Sequence, residues 1–357
     1  MSAAPSEAMA FAPTRATTRV PIDGARWTRF VEGCERAVPF HHPAWTMLVA
    51  ECYGYEAFAL TTMDSAGRIT AGLPLVEVRS MRGRRRWVSL PFTDVCEPLA
   101  VTPAALAGLS ECLASKRQEE DVESIEVRWP LPGPTAHSRS DAVTHTLRLA
   151  PDHEEVMRAF GRAQVGRGIR KAQREGVTVR CGEVSSDLTE TYYDLHTQTR
   201  RRQGVPVQPR RFFELLWERL IEPGLGFVLL AYSGDEPVAG AVFLTWNGTI
   251  SYKYGASDPK FWPLRPNNLV FWTAIRWACE NDYASFDFGR TDNDNAGLRE
   301  FKSGWGATEE PLSYSTIAER PPRPSTHRLE RVAASVLRRS PAWVSRAAGE
   351  VLYKYAA

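Results

Sequence analysis

The residues with the clearest chemical potential lie together near the end of the chain, in the stretch ASFDFGRTDNDNAGLREFKSGWGATE from Ala284 to Glu309. Lys302 precedes Gly304 and Gly306, and glycines allow a backbone and a ligand to approach each other closely. A lysine fixed beside a reacting carbonyl can stabilise the negative charge that forms on its oxygen during acyl transfer. The alternative for such a lysine is an ordinary solvated charge.

A carboxylate lies between two phenylalanines in the same stretch. Because side chains alternate along a strand, Asp287 would point away from Phe286 and Phe288. Such a carboxylate can take the proton of an attacking amine if its surroundings raise its pKa. The alternative is a structural ion pair with Arg290, and the sequence leaves both open. Asp94, in the motif PFTD at the end of an earlier strand, is a second candidate base.

One small unit of structure must position these groups. The alternation around Asp287 predicts a strand, which Gly289 and the polar cluster Asp292–Asn295 interrupt. Asn295 is a candidate N-cap for a helix over Ala296–Ser303, which the glycines after it end. The unit would place its charged side chains at the ends of its elements, where binding groups commonly lie.

Basic side chains that could bind phosphate form two clusters. The first has helical spacing and comprises Arg167, Arg170, Lys171 and Arg174. The second surrounds a Gly-Val-Pro turn and comprises Arg200, Arg201, Arg202, Arg210 and Arg211. Arginine forks bind phosphates in a bidentate manner, as a diphosphate-bearing acceptor or a transfer RNA backbone would require. The alternative for each cluster is a solvated helix surface.

Several other chemistries lack their sequence motifs. The chain has no H-E-x-x-H, Walker A, G-x-G-x-x-G or G-x-S-x-G pattern. Its six cysteines include no C-x-x-C, and its seven histidines show no ligand spacing. The sequence therefore predicts no metal site and no tightly bound cofactor.

Composition and charge restrict where the protein works. The chain has 357 residues, 43% of them hydrophobic and 24% charged, with a net charge of +2. That balance is typical of a globular protein and produces no bulk attraction to nucleic acid or anionic lipid. No run approaches about 20 apolar residues, and residues 1–24 read as a disordered leader without a secretory pattern. We expect a cytoplasmic protein whose membrane contact, at the inner face, is peripheral.

Two stretches share one rhythm of strand, polar turn and strand. They are EAFALTTMDSAGRITAGLPLVEV and GFVLLAYSGDEPVAGAVFLTW, with Gly72 and Gly240 in the second strand of each. The repetition predicts two copies of one domain, over residues 25–150 and 151–318. A linker and a helical tail would follow over residues 319–357.

Helices are predicted around these hairpins. Their expected ranges are Pro43–Tyr53, Pro103–Glu119, two pieces within Asp152–Glu175, Arg210–Ile221, and Asn267–Glu280 with Asn267 as the cap. The stretch WPLPGPTAHSRS, residues 129–140, reads as a loop.

The tail has an amphipathic pattern. Leu329, Val332 and Val336 would share one helical face, with Arg331, Arg338 and Arg339 off it. Such a helix either docks on the body of the protein or lies on a membrane surface.

The motif DFGR followed by GLREFKSGWGA resembles the C-terminal signature of FemAB-type acyltransferases, double-GNAT proteins related to the peptidoglycan-bridge aminoacyltransferases. The pair Phe301-Lys302 before Trp305-Gly306 is the most specific part. Further similar blocks are RGIRKAQREGVTV, YYDLHTQTRRRQGVPVQPRRFFELL, RPNNLVFWTAIRWACENDYASFDFGR, HHPAWTMLVAECYGYEAFAL and RWVSLPFTD. The resemblance covers roughly residues 27 to 317, in scattered blocks.

The resemblance implies an α/β fold of two tandem GNAT-like domains with mixed sheets and a cleft mainly in the second domain. It implies direct transfer of an acyl or aminoacyl group to an amine or hydroxyl of a glycan- or nucleotide-linked acceptor in cell-envelope or exopolysaccharide metabolism. The implied catalytic residues are Lys302, Phe301, and Asp287 or Asp94. The candidate substrate-binding residues are Arg170, Lys171, Arg200, Arg201, Arg202 and Arg290.

The donor is either acyl-CoA or aminoacyl-tRNA. The stretch between Tyr254 and Leu269 lacks the Q/R-x-x-G-x-G/A loop that holds the diphosphate of acetyl-CoA in ordinary GNAT enzymes, and this favours the second donor. The expected partners are a phosphate-bearing small-molecule or lipid-linked acceptor, transfer RNA, and a membrane surface contacted by the tail. The alternative function is that of a non-catalytic GNAT-fold partner in envelope or exopolysaccharide assembly.

Overall fold

The computed structural model describes residues 17–80, 83–131, 136–160, 164–321 and 334–355. Its strands are β1 Thr18–Pro21, β2 Glu56–Met63, β3 Ile69–Arg79, β4 Arg85–Val88, β5 Leu99–Ala100, β6 Ser124–Val127, β7 Ala136–Arg148, β8 Val177–Cys181, β9 Gly226–Ser233, β10 Glu236–Trp246, β11 Thr249–Ser257, β12 Ser285–Asp292 and β13 Thr308–Ala318.

The helices follow in the same order along the chain. They are α1 Ala25–Glu32, α2 Pro43–Tyr53, α3 Pro103–Glu119, α4 His153–Phe160, α5 Gln164–Arg174, α6 Tyr193–Gln203, α7 Arg210–Leu216, α8 Pro266–Glu280, α9 Ala296–Ser303 and α10 Ala342–Leu352. Short 3₁₀ turns cover Pro39–His41 and Pro259–Leu264, and wider helical turns cover Asp187–Tyr192 and Trp217–Ile221.

The strands form one continuous mixed sheet in the order β1-β2-β3-β4-β6-β13-β7-β12-β11-β10-β9-β8, with β5 on β3. The pairs β4–β6 and β11–β12 are parallel. Strand β7 comes from the first half of the chain but lies between β12 and β13 of the second half. The predicted fold class, two tandem GNAT-like units with mixed strands and a helical tail, is confirmed.

The two halves repeat one arrangement. A hairpin, β2–β3 in the first and β9–β10 in the second, leads into the parallel pair on its side of the sheet. Gly72 and Gly240 give an aromatic ring room to lie on each hairpin, because an added Cβ would come within 2.6 Å of Trp27 and 3.0 Å of Tyr192. Both glycines are therefore required for packing.

The largest hydrophobic cluster extends across the predicted boundary at residue 150. Trp45 of α2 packs edge-on against Phe212 of α7, with ring centroids 6.1 Å apart. Tyr53 also contacts Phe212, at 6.2 Å. The two units are thus joined by shared apolar packing as well as by the sheet, while the boundary itself stays a prediction.

Several local predictions are confirmed. Helices α2 and α3 have the predicted bounds, and the side chain of Asn295 caps α9 by accepting a hydrogen bond from the Leu298 amide at 3.2 Å. The helical prediction within residues 152–175 divides into α4 and α5.

Others were wrong, for reasons that lie outside the local sequence. Residues 136–140, predicted as loop, belong to β7, because they pair with β13 across the sheet. Helix α8 begins at Pro266 after Arg265, whose φ is 62°, so Asn267 is not the cap. Strand β12 continues past Gly289 to Asp292 through a shift of register.

The tail packs on the protein's own body. The amide of Val207 donates to the carbonyl of Ser345 in α10 at 3.1 Å. Leu329, Arg331 and Val332, on which the amphipathic prediction rested, lie outside the described residues, as do residues 1–16 of the leader. In the part of the chain that the structure describes, no helix is both long enough and apolar enough to span a bilayer.

Candidate functional site

The site forms where two parallel strands separate. Strands β11 and β12 pair at three positions, of which the last joins Ser251 to Asp287. Beyond that position the two strands have no further pairing, although β11 continues to Ser257 and β12 to Asp292. The gap opens into a cavity of about 450 Å³ that residues of both halves of the chain line.

Cations dominate this cavity. Its ionisable lysine, arginine and aspartate groups are Asp94, Arg128, Arg200, Lys253, Arg290 and Lys302. Five of these six groups are basic, and Asp94 is the one carboxylate on the wall among the described residues. Such a cavity attracts an anionic ligand.

Lys302 is held rigidly at the edge of the opening. Its side chain is 2% exposed, and its Nζ donates to the carbonyls of Gly289 at 2.7 Å and Arg290 at 3.1 Å. An ammonium group has three N–H donors, so one is left for a ligand. Burial lowers the pKa of Lys302 to about 8, although Asp94 and Asp287 oppose the shift.

Asp287 lies on the opposite face of β12 from its neighbours. Phe286 and Phe288 are fully buried in the core, while the Asp287 carboxylate accepts hydrogen bonds from the Gly289 amide at 2.8 Å and the Thr144 hydroxyl at 3.4 Å. Burial raises the pKa of Asp287 to about 6. A carboxyl with that pKa is suited to accept a proton near neutral pH.

The ion pair between Asp287 and Arg290, considered as an alternative, is not formed. The Arg290 guanidinium instead pairs with Asp141 at 3.2 Å and Asp292 at 2.7 Å, and it also lines the cavity. The reason is the positive φ of Gly289, 69°, which changes the direction of the strand between the acid and the arginine.

Asp94 comes from the first half of the chain and meets the DFGR strand directly. Its Oδ2 accepts a hydrogen bond from the Arg290 amide at 3.2 Å, and its backbone carbonyl accepts one from the Tyr314 hydroxyl at 2.7 Å. An added Cβ on Gly289 would lie 2.6 Å from Asp94 Oδ2. Glycine is thus required here for its φ and for the approach of a carboxylate.

Sequence reasoning missed Lys253. This lysine of β11 donates to the carbonyl of Phe92, whose φ is 61°, and its Nζ lies 5.2 Å from the rings of Phe40 and Trp45 and 5.1 Å from Tyr254. Burial lowers its pKa, and the nearby Asp94 opposes that shift. The only local signal was a lysine inside the apolar pattern SYKYG.

Of the two predicted basic clusters, Arg200 is the member that lines the cavity. Arg290, which was predicted separately to bind substrate, also lines it. Arg200 Nε donates to the Pro206 carbonyl at 3.1 Å and its Nη2 to the Tyr353 hydroxyl at 2.6 Å. Gly204, with φ 75°, turns the chain so that Pro206 lies beside Arg200. Arg128, which was not predicted, lies over the Tyr314 ring at 5.0 Å.

The remaining predicted phosphate-binding residues do not line this cavity. Arg202 donates to the Ser257 carbonyl at 3.0 Å and stacks over a tryptophan ring at 5.1 Å. Arg201 follows Arg200 on α6, and Arg170 and Lys171 lie on α5, the first exposed and the second half-buried.

Phe301 and Lys302 are adjacent but face different cavities. Phe301 lines a second cavity of about 350 Å³, with Asn268 and Gly304 among its walls. Its ring packs edge-on against Phe271, with centroids 5.6 Å apart. Helix α9 therefore separates the two cavities.

Comparisons with known proteins agree with this architecture. Residues 159–303 match the family of acetyltransferase (GNAT) domains. A Lipid II:glycine glycyltransferase of Staphylococcus aureus is 35% identical over 75 residues. That alignment covers 19% of this chain and 18% of the relative, so the chain matches less than a fifth of the length of this curated protein.

Solved structures extend the likeness to both halves. The crystal structure of FemX superposes with a TM-score of 0.64 at 15% identity, over 90% of this chain and 100% of that one. A tandem GNAT protein from the clavulanic acid biosynthesis pathway gives 0.52 at 13% identity, over 86% and 99%. These likenesses concern the fold. Residues 159–303 thus match a GNAT acetyltransferase domain, and the fold of the whole chain is similar to that of FemX and of a tandem GNAT protein.

Proposed function

We propose that the protein is an acyltransferase that moves an acyl or aminoacyl group to an amine or hydroxyl of a phosphate-bearing, glycan- or nucleotide-linked acceptor. One observation carries the proposal. A buried lysine and two carboxylates meet where β11 and β12 separate, beside a cavity whose other charged groups are basic. The match to the GNAT domain family supports the reaction class.

The chemistry needs three functions from this set. The acceptor's nitrogen or oxygen attacks the carbonyl carbon of the donor, and the third N–H of Lys302 stabilises the resulting oxyanion. Asp287, or Asp94 beside it, accepts the proton that the nucleophile loses. The carbon–sulfur or carbon–oxygen bond of the donor then breaks, and the leaving group takes up a proton. No covalent bond to the protein forms.

The cations of the cavity suit a diphosphate on the acceptor. Arg200 presents a guanidinium fork, which can bind two phosphate oxygens at once. The glycyltransferase relative is named for lipid II, and by analogy we extend the proposal to an acceptor of peptidoglycan or exopolysaccharide metabolism. Acyl-CoA and aminoacyl-tRNA are both donors of suitable chemistry.

The tail offers a surface for a lipid-linked acceptor. Trp343 is 69% exposed and Val351 62%, and the basic residues Arg338, Arg339 and Lys354 lie on the same segment. Aromatic and apolar side chains beside cations are suited to the interface of an anionic membrane. We therefore include peripheral membrane contact in the proposal, and vesicles with and without anionic lipid in a sedimentation assay test it.

A product screen tests the proposed function. The purified protein is incubated with acyl-CoA mixtures or charged transfer RNA and with nucleotide-sugar acceptors, and acceptor masses are recorded. An acyl or aminoacyl mass shift on the acceptor, absent with Lys302→Ala, is the expected result. Tight binding of acceptor without product from any donor would contradict catalysis and favour the non-catalytic binding partner.

A further inference from the structure

The C-terminal tail lies against the turn that carries Arg200. An added Cβ on Gly204 would come within 2.6 Å of the Ala334 carbonyl, and one on Gly349 would overlap the Val207 carbonyl. The Arg346 guanidinium lies 5.5 Å from the Tyr193 ring on α6. Glycine is thus present on both sides of the contact. The tail packs at Ala334 on the backbone of Gly204, and α10 packs through Gly349 on the backbone of Val207.

The tail reaches the candidate site through Tyr353. Tyr353 follows α10, is 7% exposed and lines the same cavity as Lys302. Its ring lies between two aromatic residues of the first half, 6.1 Å from Tyr53 and 5.2 Å from Phe92. The hydroxyl of Tyr55 donates to its carbonyl at 3.0 Å. The position of Tyr353 is therefore fixed by the first half of the chain as well as by the helix that carries it.

The hydroxyl of Tyr353 fixes the orientation of Arg200. It donates to the Pro206 carbonyl at 3.0 Å, so its lone pairs face the Arg200 Nη2, which donates to it at 2.6 Å. Arg200 Nε donates to the same Pro206 carbonyl at 3.1 Å. Two of the five guanidinium N–H groups are thereby used, and three remain on Nη1 and Nη2, the edge that binds an oxyanion in a bidentate manner.

We propose that the tail is part of the acceptor site and that Tyr353 is a positioning residue, which directs the free edge of Arg200 towards a phosphate or diphosphate of the acceptor and closes the cavity beside it. This inference rests on the proposed anionic acceptor. It assigns the tail a second role, because Tyr353, just after α10, lies in the cavity wall while Trp343 of α10 is exposed.

The first test needs no ligand. Phenylglyoxal modifies accessible arginines, and mass spectrometry of peptides measures its rate at Arg200 in the full chain. Tyr353→Phe keeps the ring but removes the hydroxyl, and Gly349→Ala displaces the helix while keeping Tyr353. We expect both variants to modify Arg200 at least about threefold faster, since a hydrogen bond to a charged group is lost. Tyr355→Phe, a tail tyrosine outside this cavity, should match the wild type.

The second test uses inorganic pyrophosphate and calorimetry. Arg200→Gln should weaken pyrophosphate binding about tenfold or more, and Tyr353→Phe about threefold to tenfold. If Tyr353 acts through Arg200, Tyr353→Phe should have no further effect in the Arg200→Gln background.

The outcomes separate the two proposals. Unchanged labelling of Arg200 in Tyr353→Phe and Gly349→Ala overturns the positioning role, whatever pyrophosphate does. If the variants are labelled faster but the wild type does not bind pyrophosphate, the proposed anionic acceptor is contradicted. The proposal that Tyr353 positions Arg200 for such an acceptor is then contradicted as well. Additive effects of the two substitutions also overturn the inference, because Tyr353 would then act independently of Arg200.

Discussion

Among the described residues, each half of the sheet contains one pair of parallel strands, here called a seam: β4–β6 in the first half and β11–β12 in the second. Only the second seam opens into a cavity. In the first half, β4 and β6 pair at three positions that end with Val88 opposite Glu126. In the second half, β11 and β12 pair at three positions that end with Ser251 opposite Asp287. Each seam thus ends with an acidic residue at the same place, after which the strands separate.

The segment that follows β4 closes the first seam. Ser89 donates through its amide to the Glu126 carbonyl at 2.8 Å and accepts through its hydroxyl from the Arg128 amide at 2.7 Å. The Cys96 amide then bonds the Arg128 carbonyl at 3.2 Å. Backbone groups that would otherwise be orphaned are therefore satisfied within the chain.

The second seam has side chains where the first has backbone bonds. Lys302 supplies the hydrogen bonds to the Gly289 and Arg290 carbonyls, and the space beyond is a cavity. Glu126 is paired with Arg128 at 2.9 Å, whereas Asp287 is buried with a raised pKa. The acidic residue at the end of a parallel strand pair is thus a structural ion-pair partner in the first half, Glu126, and a candidate base in the second half, Asp287. The difference depends on which groups lie beside the carboxylate.

Substitution of the acids at the ends of the two seams, Asp287 and Glu126, should give the largest difference in kcat. Asp287→Asn removes the proposed proton acceptor and should lower kcat by about 10²- to 10⁴-fold. Glu126→Gln, the matched control, should leave kcat within about twofold, because its partner Arg128 is on the cavity wall and not at the reacting atoms. Steady-state rates on the acceptor found in the screen measure both. Equal losses in the two variants would contradict the distinction between the seams.

The pH dependence of kcat should show the second seam's two charged groups. Asp287 must be ionised and Lys302 protonated, so kcat should rise through about pH 6 and fall above about pH 8. On each side of the optimum, kcat should change by about tenfold per pH unit. Asp287→Asn should remove the acid limb from the residual rate. An acid limb unchanged in that variant would assign it to another group.

The same shift fixes how Asp287 affects stability. A carboxyl whose folded pKa is raised contributes stability below its unfolded pKa, and this is lost as pH rises through the folded value of about 6. We compare the free energy of unfolding of Asp287→Asn with that of the wild type by urea denaturation. The difference in favour of the variant should be larger between pH 5 and 7.5 than at about pH 3.5. A constant difference across these pH values would contradict the raised pKa.

Gly289→Ala should damage the second seam by a smaller amount. The substitution strains a backbone with φ 69° and brings a Cβ within 2.6 Å of Asp94 Oδ2. We expect about a tenfold loss of kcat/KM together with about 1–2 kcal/mol of unfolding free energy. Gly234→Ala has φ 61° and open space around it, so it should cost similar stability and no activity. A comparable loss of kcat/KM in both variants would show that strain alone explains the effect.

The smallest expected effect is in the closed seam. Ser89→Ala removes the acceptor for the part-buried Arg128 amide and should cost about 1–2 kcal/mol of unfolding free energy. Its kcat should stay within about twofold of the wild type, since the bond serves structure alone. Chemical denaturation and rates on one preparation measure both quantities. A loss of kcat/KM larger than the loss in Gly289→Ala would reverse the assignment of roles.

Local patterns were enough to predict the elements that carry the site. The Asn295 cap, the placement of Asp287 opposite two buried phenylalanines, and the ranges of α2 and α3 all depend on neighbours within a few residues. The repeated hairpins predicted two copies of one domain, and the resemblance to a known superfamily supplied the strand order, which pattern reading alone does not determine.

The groups that complete the cavity could not be predicted in this way, because their partners are distant in sequence. Lys253 bonds a residue 161 positions earlier, and Arg200 bonds Tyr353, 153 positions later. The missed first residues of β7 have the same cause, since their pairing partner β13 lies far along the chain. Of the predicted basic residues, clustering in sequence did not distinguish Arg200, which lines the cavity, from Arg201 and Arg202, which do not.

The most direct measurement is the kcat/KM of Lys302→Ala, with Lys260→Ala as an exposed-lysine control, on the donor and acceptor found in the screen. Loss of the donor to the oxyanion should reduce kcat/KM by about 10²-fold or more, while circular dichroism stays that of the wild type and the control keeps its activity. Wild-type turnover in a folded Lys302→Ala protein would contradict the assignment of the open seam as the catalytic centre.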